Sequence, residues 1–444
     1  MFSKILVANR GEVAVRIIRA CKEMGIETVA VYSEADADEL HVSLADESYC
    51  IGGSMAKDSY LNMNAIITLA ETLHVEAIHP GYGMLSENPE FAKLCEENGI
   101  AFIGPSSDVM VKMGRKEMAR EIAIDADVPV SPGSDILEDL DEAISEAERI
   151  GYPVMLKARS GGGGKGIRIV REESEMAASF EQVKKEAMAS FKDDAVFLEK
   201  YLEHVKHVEV QVLADKEGNV IIMGDRDCSV QRKNQKLIEE CPAPYLSEEM
   251  RIKMYAAAKR LSQKVGYTTV GTVEFLVQKD KFYFLEMNTR LQVEHSVTEM
   301  ALGVDLVKWQ IRTAAGVTIP FDQDSITVGK HAIECRICAE NAKTFAPATG
   351  KVEFLHIPGG SCVRFDTALY QGCEITPFYD SMLGKLIVSS ESREGAVRKM
   401  KSALSELVLV GVDNNRRMHM KFLENDEFLN GKYDTDICGK VLKS

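Results

Sequence analysis

The stretch KILVANRGEVAVRIIRACKEMGIETVAVY, residues 4–32, decides the fold class of the first part of the chain. Residues 4–8 are an apolar run, and apolar residues then recur at the spacing of a helix until Gly25. Residues 28–32 form a second apolar run that is rich in β-branched side chains. Strand, helix and strand in this order predict two parallel strands joined by a crossover helix.

The same alternation continues to about residue 103. An amphipathic helix is predicted near residues 60–73 and a strand at residues 77–79. Asn88 and Pro89 are typical of a helix N-cap and first helical position, and residues 101–103 predict one more strand. We therefore expect a Rossmann-like N-terminal domain over residues 1–113, with a parallel sheet and right-handed crossovers.

Pro and Gly residues then punctuate the chain on either side of a helical segment. Strands predicted at residues 154–158, 167–170 and 196–199 define a small lid domain over residues 114–201, and we expect its part from about residue 129 to residue 201 to move as a lid. After Tyr201 the pattern becomes strand-rich. The predicted fold class is α/β and α+β, with a Rossmann-like domain, a small lid domain and a mixed, sheet-rich C-terminal domain over residues 202–444.

Composition limits the possible partners. The chain has 444 residues, 45% of them hydrophobic and 27% charged, which is typical of a globular protein of about three domains. The net charge of -16 disfavours nucleic acid and anionic membrane surfaces. Neither a signal-peptide core nor an apolar run of roughly 18 residues is found, and most of the ten cysteines are isolated. We expect a cytoplasmic protein that does not cross a membrane.

The run SGGGGKG, residues 160–166, is the most unusual local feature. It contains the glycine spacing of a dinucleotide-binding loop, but such a loop must open a helix, and residues 167–170 predict a strand. It also lacks the spacing of a P-loop. Because glycine lets backbone N–H groups approach phosphates closely, a phosphate-contacting hairpin is favoured over the alternative, a flexible linker.

Polar side chains alternate along the segment Glu286, Asn288, Arg290, Gln292 and Glu294. In an extended segment all five would lie on one face. A three-residue loop at residues 279–281 would also place Glu274 opposite Glu286. Carboxylate and amide oxygens suit a magnesium ion that bridges nucleotide phosphates, whereas the alternative is a solvated strand edge.

Two further motifs stand out against the acidic background. A local cationic cluster contains Arg226, Arg232, Lys233 and Lys236, and the residues that follow it, 237–244, predict an ordered loop. The run His79–Gly83, with Ser86 and Glu87, falls at the end of a predicted parallel strand, where open α/β sheets bind ligands. A solvated basic face and a structural histidine are the alternatives.

Together these segments resemble the biotin carboxylase family, within the ATP-grasp fold, so the lobe at residues 114–201 would be the ATP-grasp lid domain. The matching runs are collinear from about residue 2 to beyond residue 390: Val7–Glu12, His79–Gly83, Leu85–Glu87, Gly161–Gly166, Glu199–Leu202, His207–Glu209, Gln235–Lys236, Glu286–Glu299 and Glu334–Arg336.

The resemblance implies a two-step reaction. Bicarbonate attacks the γ-phosphate of ATP, in the presence of Mg²⁺ or Mn²⁺, to give carboxyphosphate and ADP. The carboxyl group then passes to N1′ of biotin on a biotin carboxyl carrier protein. The expected setting is acetyl-CoA carboxylase, which supplies malonyl-CoA for fatty acid synthesis. A pyruvate or propionyl-CoA carboxylase, another ATP-grasp ligase and a non-catalytic ATP-binding regulator are the alternatives.

The resemblance also implies roles for individual residues. Nucleotide contacts are expected at Lys116, Lys157, Gly163, Gly164, Glu199, Lys200, Tyr201, Leu202, His207 and Asn234. Metal ligands are expected at Glu274, Glu286 and Asn288. Bicarbonate would be bound by Lys236, Arg290, Gln292 and Val293, with Glu294 as its general base, and Arg336 would face the biotin enolate. Cations aimed at each developing negative charge make these roles chemically reasonable.

One position departs from the family pattern. Many members have histidine where this chain has Asn234, an amide that can still donate to a nucleotide hydroxyl. The chain contains no Ala-Met-Lys-Met biotinylation motif, so we expect the biotin carrier and the carboxyltransferase to be separate polypeptides. The resemblance further implies a homodimer, with Arg19 and Glu23 as candidate charges at the rim of its interface.

Overall fold

A computed structural model of the chain describes residues 1–159, 166–191 and 193–442. The N-terminal sheet has the order β3-β2-β1-β4-β5, and all its strand pairs are parallel. Its strands are β1 Lys4–Val7, β2 Glu27–Tyr32, β3 Glu47–Cys50, β4 Ala77–His79 and β5 Ala101–Phe102. The helices that accompany it are α1 Gly11–Glu23, α2 Leu40–Leu44, α3 Met63–Thr72, α4 Pro89–Glu97 and α5 Ser107–Gly114. The predicted Rossmann-like arrangement is confirmed.

The ends of β1 and β4 form one edge of this sheet. Asn9, just after β1, donates from Nδ2 to the carbonyl oxygens of Pro80 and Tyr82, at 2.6 and 2.8 Å. These bonds hold the loop after β4 in place. His79 is fully buried, and burial lowers its pKa to about 3, so it is a neutral structural histidine.

The lid lobe contains an antiparallel sheet of order β7-β6-β8. Its elements are α7 Leu140–Ile150, β6 Val154–Ala158, β7 Ile167–Val170, α8 Met176–Phe191 and β8 Val196–Lys200. The helix α6 Lys116–Asp125 precedes the lobe and packs through Ala119 and Ala123 into a different apolar core. The lobe has its own apolar core, which includes Leu156, Val183 and Leu198. The strands that flank the predicted glycine hairpin are confirmed, and residues 160–165, with Gly163 and Gly164, lie outside the described residues.

An eight-stranded antiparallel sheet forms the rest of the protein, in the order β13-β12-β9-β10-β11-β14-β19-β17. These strands are β9 Lys206–Ala214, β10 Val220–Arg232, β11 Gln235–Cys241, β12 Thr269–Gln278, β13 Lys281–Asn288, β14 His331–Cys338, β17 Val363–Thr367 and β19 Met382–Ser390. Two small sheets pair β15 Gly350–Lys351 with β18 Glu374–Ile375, and β16 Phe354–His356 with β20 Val408–Val410.

Helices cover this sheet. They are α9 Glu248–Val265, α10 His295–Leu302, α11 Leu306–Ala314, α12 Arg393–Glu406, α13 Arg416–Leu423, α14 Asp426–Leu429 and α15 Ile437–Val441. Within the three described ranges, no helix combines the length and the apolarity that a membrane crossing requires. The mixture of a parallel sheet with antiparallel ones confirms the predicted fold class.

Three local predictions are wrong. Residues 237–241 belong to strand β11 instead of a loop, because Leu237 and Ile238 are buried and the strand pairs with both β10 and β14. Strand β13 ends at Asn288, so residues 289–294 are a loop and not a continuation of the strand. The turn between β12 and β13 has two residues, not three, and a β-bulge restores the predicted pairing of Glu274 with Glu286.

Candidate active site

Lys236, on β11, is the centre of a cluster of charged side chains. Its ammonium group donates to Glu209 Oε2, Glu274 Oε1 and Glu294 Oε1, at 2.7, 2.9 and 2.6 Å. Burial alone would lower the pKa of Lys236, but the three carboxylates hold it well above its usual value. The lysine is therefore a permanent cation at neutral pH.

Arg336, on β14, lies on the other side of Glu294. Its Nη2 donates to Glu294 Oε2 at 3.0 Å, while its Nε donates to Glu239 Oε1 at 2.6 Å. Burial would raise the pKa of Glu294, but Lys236 and Arg336 hold it well below its usual range. Glu294 is thus an ionised carboxylate with one oxygen bound by each cation.

Three carboxylates form a row across neighbouring strands. Glu274 on β12 pairs in register with Glu209 on β9 and with Glu286 on β13. Like charges directly opposite each other in a sheet repel, so this row needs cations. The Lys236 ammonium group donates to both Glu209 and Glu274, and His207 Nε2 lies 2.7 Å from Glu274 Oε2.

The exposed side of the row fits a divalent metal. Glu286 is exposed, and Asn288 Nδ2 donates to Glu274 Oε1 at 2.7 Å, so the three predicted metal ligands lie together at the end of β13. Carboxylate and amide oxygens are the donors that Mg²⁺ and Mn²⁺ prefer. Desolvation by the surrounding protein and the neighbouring Glu274 raise the pKa of Glu286, and the Lys116 ammonium at the start of α6 opposes this rise.

The loop after β13 carries the remaining residues predicted to bind bicarbonate. Arg290 donates from Nη2 to Asn288 Oδ1 and from Nε to Glu87 Oε2, both at 2.9 Å. Gln292 donates from Nε2 to Glu274 Oε1 at 2.7 Å. The loop therefore converges on the Lys236 cluster although it is not a strand, and Glu87 connects it to the N-terminal domain.

The backbone of this loop is fixed from behind. The carbonyl oxygen of Val293 accepts a hydrogen bond from Lys385 Nζ at 2.7 Å, and the carbonyl oxygen of Gln292 lies 2.8 Å from His295 Nδ1. Lys385 is fully buried on β19. A buried ammonium bound to a loop carbonyl restricts the positions that the loop can adopt.

Other predicted nucleotide residues lie on the lid and at its edge. Lys157 forms an ion pair with Glu199 across β6 and β8, and Lys200 Nζ donates to the carbonyl oxygens of Gly151 and Tyr152, at 2.7 and 2.9 Å. Tyr201 and Leu202 follow β8, where both are partly exposed. In the described residues these side chains make no hydrogen bond to the Lys236 cluster.

Asn234 lies in the two-residue turn that joins β10 to β11. Lys233 and Asn234 have φ angles of 50° and 65°, the left-handed conformation that a type I′ turn requires. Asparagine adopts this conformation more easily than most residues, which gives a backbone reason for its presence here. Its side chain is exposed on the same edge of the sheet as Lys236, two residues further along the chain.

Sequence reasoning gave no role to several residues of the cluster. Glu209 and Glu239 are both fully buried, and they pair with Lys236 and Arg336. Arg226, expected in a local basic cluster, is instead fully buried among polar side chains. The available signal was the alternation of polar residues along β9, His207, Glu209 and Gln211, which places charge on one face of a central strand.

Comparisons with known proteins agree with this geometry. The N-terminal domain model of biotin carboxylase matches residues 1–110, and its C-terminal domain model matches residues 334–440. Between them, residues 115–321 match the ATP-binding domain of the carbamoyl-phosphate synthase L chain.

Full-length relatives are also found. Biotin carboxylase 1 of Bacillus subtilis is 51% identical over 439 residues, 98% of each chain. The biotin carboxylase of Haemophilus influenzae is 51% identical over 444 residues, which cover 100% of this chain and 99% of its own. The solved biotin carboxylase domain dimer of Hydrogenobacter thermophilus 2-oxoglutarate carboxylase, in complex with MgADP, ADP and bicarbonate, has a TM-score of 0.93 at 48% identity, covering 100% of this chain and 99% of that one.

A small lid lobe above a sheet that presents carboxylates, an amide and a lysine defines the class of ATP-dependent ATP-grasp ligases. In this class the protein supplies charge and position around a phosphoryl transfer. Within it, the chain belongs to the biotin carboxylase family, as the sequence resemblance predicted.

Proposed function

We propose that this protein uses ATP and bicarbonate to carboxylate biotin that is attached to a carrier protein. The observation that carries the proposal is the direct contact of Glu294 with both Lys236 and Arg336. A carboxylate between two cations can act as the base for one bound anion, bicarbonate, while the guanidinium beside it stabilises a second anion, the biotin enolate. A nucleotide-binding regulator would have no need of this arrangement.

Bicarbonate binds between Lys236, Arg290 and Gln292 in this proposal. All three present N–H donors near Glu274 and Glu294, and together they balance the charge of an added anion. Glu294 takes the proton of bicarbonate while a bicarbonate oxygen attacks the γ-phosphorus of ATP. The bond from that phosphorus to ADP breaks, and ADP is released. Because Lys236 and Arg336 hold the pKa of Glu294 low, its basicity rises only when the bound anion takes a share of those contacts. Proton transfer is thereby tied to substrate binding.

The nucleotide lies between the lid and the carboxylate row. Glu274, Glu286 and Asn288 would hold the metal ions, and a bound Mg²⁺ neutralises charge on the phosphate oxygens. Lys116, Lys157 and His207 would contact phosphates and ribose, together with Gly163 and Gly164. Residues 199–202 would frame the adenine, and Asn234 would contact a nucleotide hydroxyl.

Arg336 stabilises the biotin enolate in the second step. Its guanidinium is held by Glu239 and Glu294, so its position is fixed before biotin arrives. Fixed cations stabilise a developing negative charge without reorganisation. The carboxyl group of carboxyphosphate passes to N1′ of biotin, the N1′ proton passes to the phosphate that is released, and inorganic phosphate leaves.

The compartment, oligomeric state and partner proteins are proposed from the biotin carboxylase relatives. We place the protein in the cytoplasm as a homodimer that acts with a biotin carboxyl carrier protein and a carboxyltransferase, with acetyl-CoA as the final acceptor. The ten cysteines are free thiols.

The exposed Arg19 on α1 is a candidate residue for the dimer interface. Glu23 forms an ion pair with Lys308 of the same chain at 2.5 Å, which makes it a weaker candidate. Analytical ultracentrifugation at micromolar concentration should give the dimer mass, and a monomer alone would contradict the dimer.

The decisive experiment for the activity measures ADP formation with bicarbonate and free biotin each present or absent. We expect ADP formation to require bicarbonate and to rise when biotin is added. Carboxybiotin should appear in the same reaction. ADP formation that is indifferent to bicarbonate would contradict the proposal and favour another ATP-grasp ligase.

A further inference from the structure

Arg226, on β10, is a fully buried guanidinium below the Lys236 cluster. Its five N–H groups donate to five acceptors on two strands, one loop and one helix, at 2.5–3.1 Å: Glu209 Oε1, Gln211 Oε1, Thr272 Oγ1, Gln292 Oε1 and Thr298 Oγ1. Every donor of the guanidinium is therefore used. The reaction proposed above gives this residue no role.

The contact with Gln292 decides which way that side-chain amide faces. Arg226 Nη2 lies 2.7 Å from Gln292 Oε1, and a guanidinium can only donate hydrogen bonds. The oxygen of the amide must therefore face Arg226, and its Nε2 group must face Glu274, to which it donates at 2.7 Å. If the amide were reversed, its NH₂ group would face the N–H groups of Arg226, and its oxygen would face the Glu274 carboxylate.

A second contact reaches Lys236. Arg226 Nε donates to one oxygen of Glu209, at 2.5 Å, and Lys236 donates to the other oxygen, at 2.7 Å. Because Glu209 is fully buried and held at both oxygens, it transmits the position of Arg226 to the lysine. Arg226 thus fixes two groups of the same pocket from below.

We propose that Arg226 is a positioning residue for the bicarbonate site, which orients the Gln292 amide directly and Lys236 through Glu209. This inference rests on the proposed function. It adds that the affinity for bicarbonate depends on the buried Arg226, which does not contact bicarbonate itself.

The first test replaces Arg226 by lysine. A lysine keeps the charge but has a single donor atom, so it cannot hold Glu209 and Gln292 together as the planar guanidinium does. We expect the KM for bicarbonate to rise about tenfold to a hundredfold, the range for loss of a hydrogen bond that involves a charged group. The KM for ATP and the Kd of MgADP should change by less than about twofold, since those ligands bind on the Glu286 side of the row.

The matched control is Thr298→Val. It removes a hydrogen bond from Arg226 on the α10 side, at 2.9 Å, and touches neither Glu209 nor Gln292. Its bicarbonate KM should stay within about twofold of the original value, even if the protein melts at a lower temperature. An equal rise in Thr298→Val and Arg226→Lys would overturn the inference, because general loosening of the core would then explain both.

A second variant tests the amide orientation without altering Arg226. Gln292→Glu has the same shape and keeps the contact with Arg226, but it places an oxygen where Nε2 was. We expect its bicarbonate KM to rise at least about tenfold. An unchanged KM in Arg226→Lys refutes the inference while the proposed function stands. An unchanged KM in Gln292→Glu refutes the inference and also removes Gln292 from the proposed bicarbonate site. An unaltered chain without bicarbonate-dependent ADP formation would refute the proposed function itself, and the inference with it.

Discussion

Glu294→Gln is the substitution that separates the chemistry of this site from its stability. The amide has the shape of the carboxylate, but only one of its two polar atoms can accept a hydrogen bond. Lys236 and Arg336 each donate to one oxygen of Glu294, at 2.6 and 3.0 Å, so in the variant one of these cations faces an NH₂ group. The lost charge-assisted contact should lower the free energy of unfolding by about 1.5–3 kcal/mol.

The loss in rate should be larger than the loss in stability suggests. Removal of a general base costs about 10²–10⁴-fold, which corresponds to about 3–5 kcal/mol in the activation barrier. Nucleotide affinity should be retained, because the variant removes a negative charge near an anionic ligand and leaves Glu274 and Glu286 unaltered. The assay is bicarbonate-dependent ADP formation, with MgADP affinity measured separately by calorimetry.

Glu240→Gln is the matched control. Glu240 follows Glu239 on β11 and therefore points to the opposite face of the sheet, where it is fully buried and paired with Arg393 and His331. This variant should be less stable but should turn over within about twofold of the original rate. Full turnover in Glu294→Gln would refute the assignment of the base. Equal loss of turnover in both variants would show that the effect is loss of stability.

Three further outcomes are expected. Arg336→Ala should lower carboxybiotin formation about 10²-fold, as for loss of an oxyanion donor, while MgATP binding persists; normal carboxylation would exclude Arg336 from the second step. MgATP should slow hydrogen exchange at the amides of Ile167–Val170, and equal exchange with and without nucleotide would count against lid closure. Burial alone would raise the pKa of Glu240, but His331 and Arg393 lower it to about 2. A carboxyl whose pKa is depressed in the folded state stabilises the fold at pH values above its ordinary pKa of 4.5. About 3 kcal/mol of the free energy of unfolding should therefore be lost as the pH falls from 4.5 towards 2. Chemical denaturation measured over this pH range should show that Glu240→Gln lacks this part of the loss.

The N-terminal domain could be predicted from the sequence because its signals are local. Strand and helix alternate with different periods, and Asn88 caps α4 through a hydrogen bond from the backbone N–H of Phe91 to its side chain. The C-terminal sheet was harder to predict, since β11 pairs with β14, whose residues lie about a hundred positions later. No local signal distinguishes a buried strand with two distant neighbours from an ordered loop.

The candidate site shows the same division. Alternation along residues 286–294 selected side chains that the structure brings together, although only Glu286 and Asn288 are in a strand. The others converge because a loop turns back towards Lys236, and loop geometry depends on contacts such as Lys385 with the carbonyl of Val293. The surroundings of Arg226 could not be predicted for a related reason: a sequence shows its charge but not the acceptors that surround it.

The charge balance of the site explains why an acidic chain concentrates cations here. Three buried carboxylates meet three permanent cations and His207 around β11: Glu209, Glu274 and Glu294 with Arg226, Lys236 and Arg336. Beside Arg336, burial raises the pKa of a fourth acidic side chain, Glu239. In this arrangement Lys236 is shared among three carboxylates, so it has little capacity to bind another anion. Glu274 and Glu286 would hold a divalent metal, whose positive charge would weaken the attraction of Glu274 for the lysine. The row of carboxylates would then couple the two substrates, because Glu274 would be shared between the metal that accompanies ATP and the lysine that bicarbonate requires.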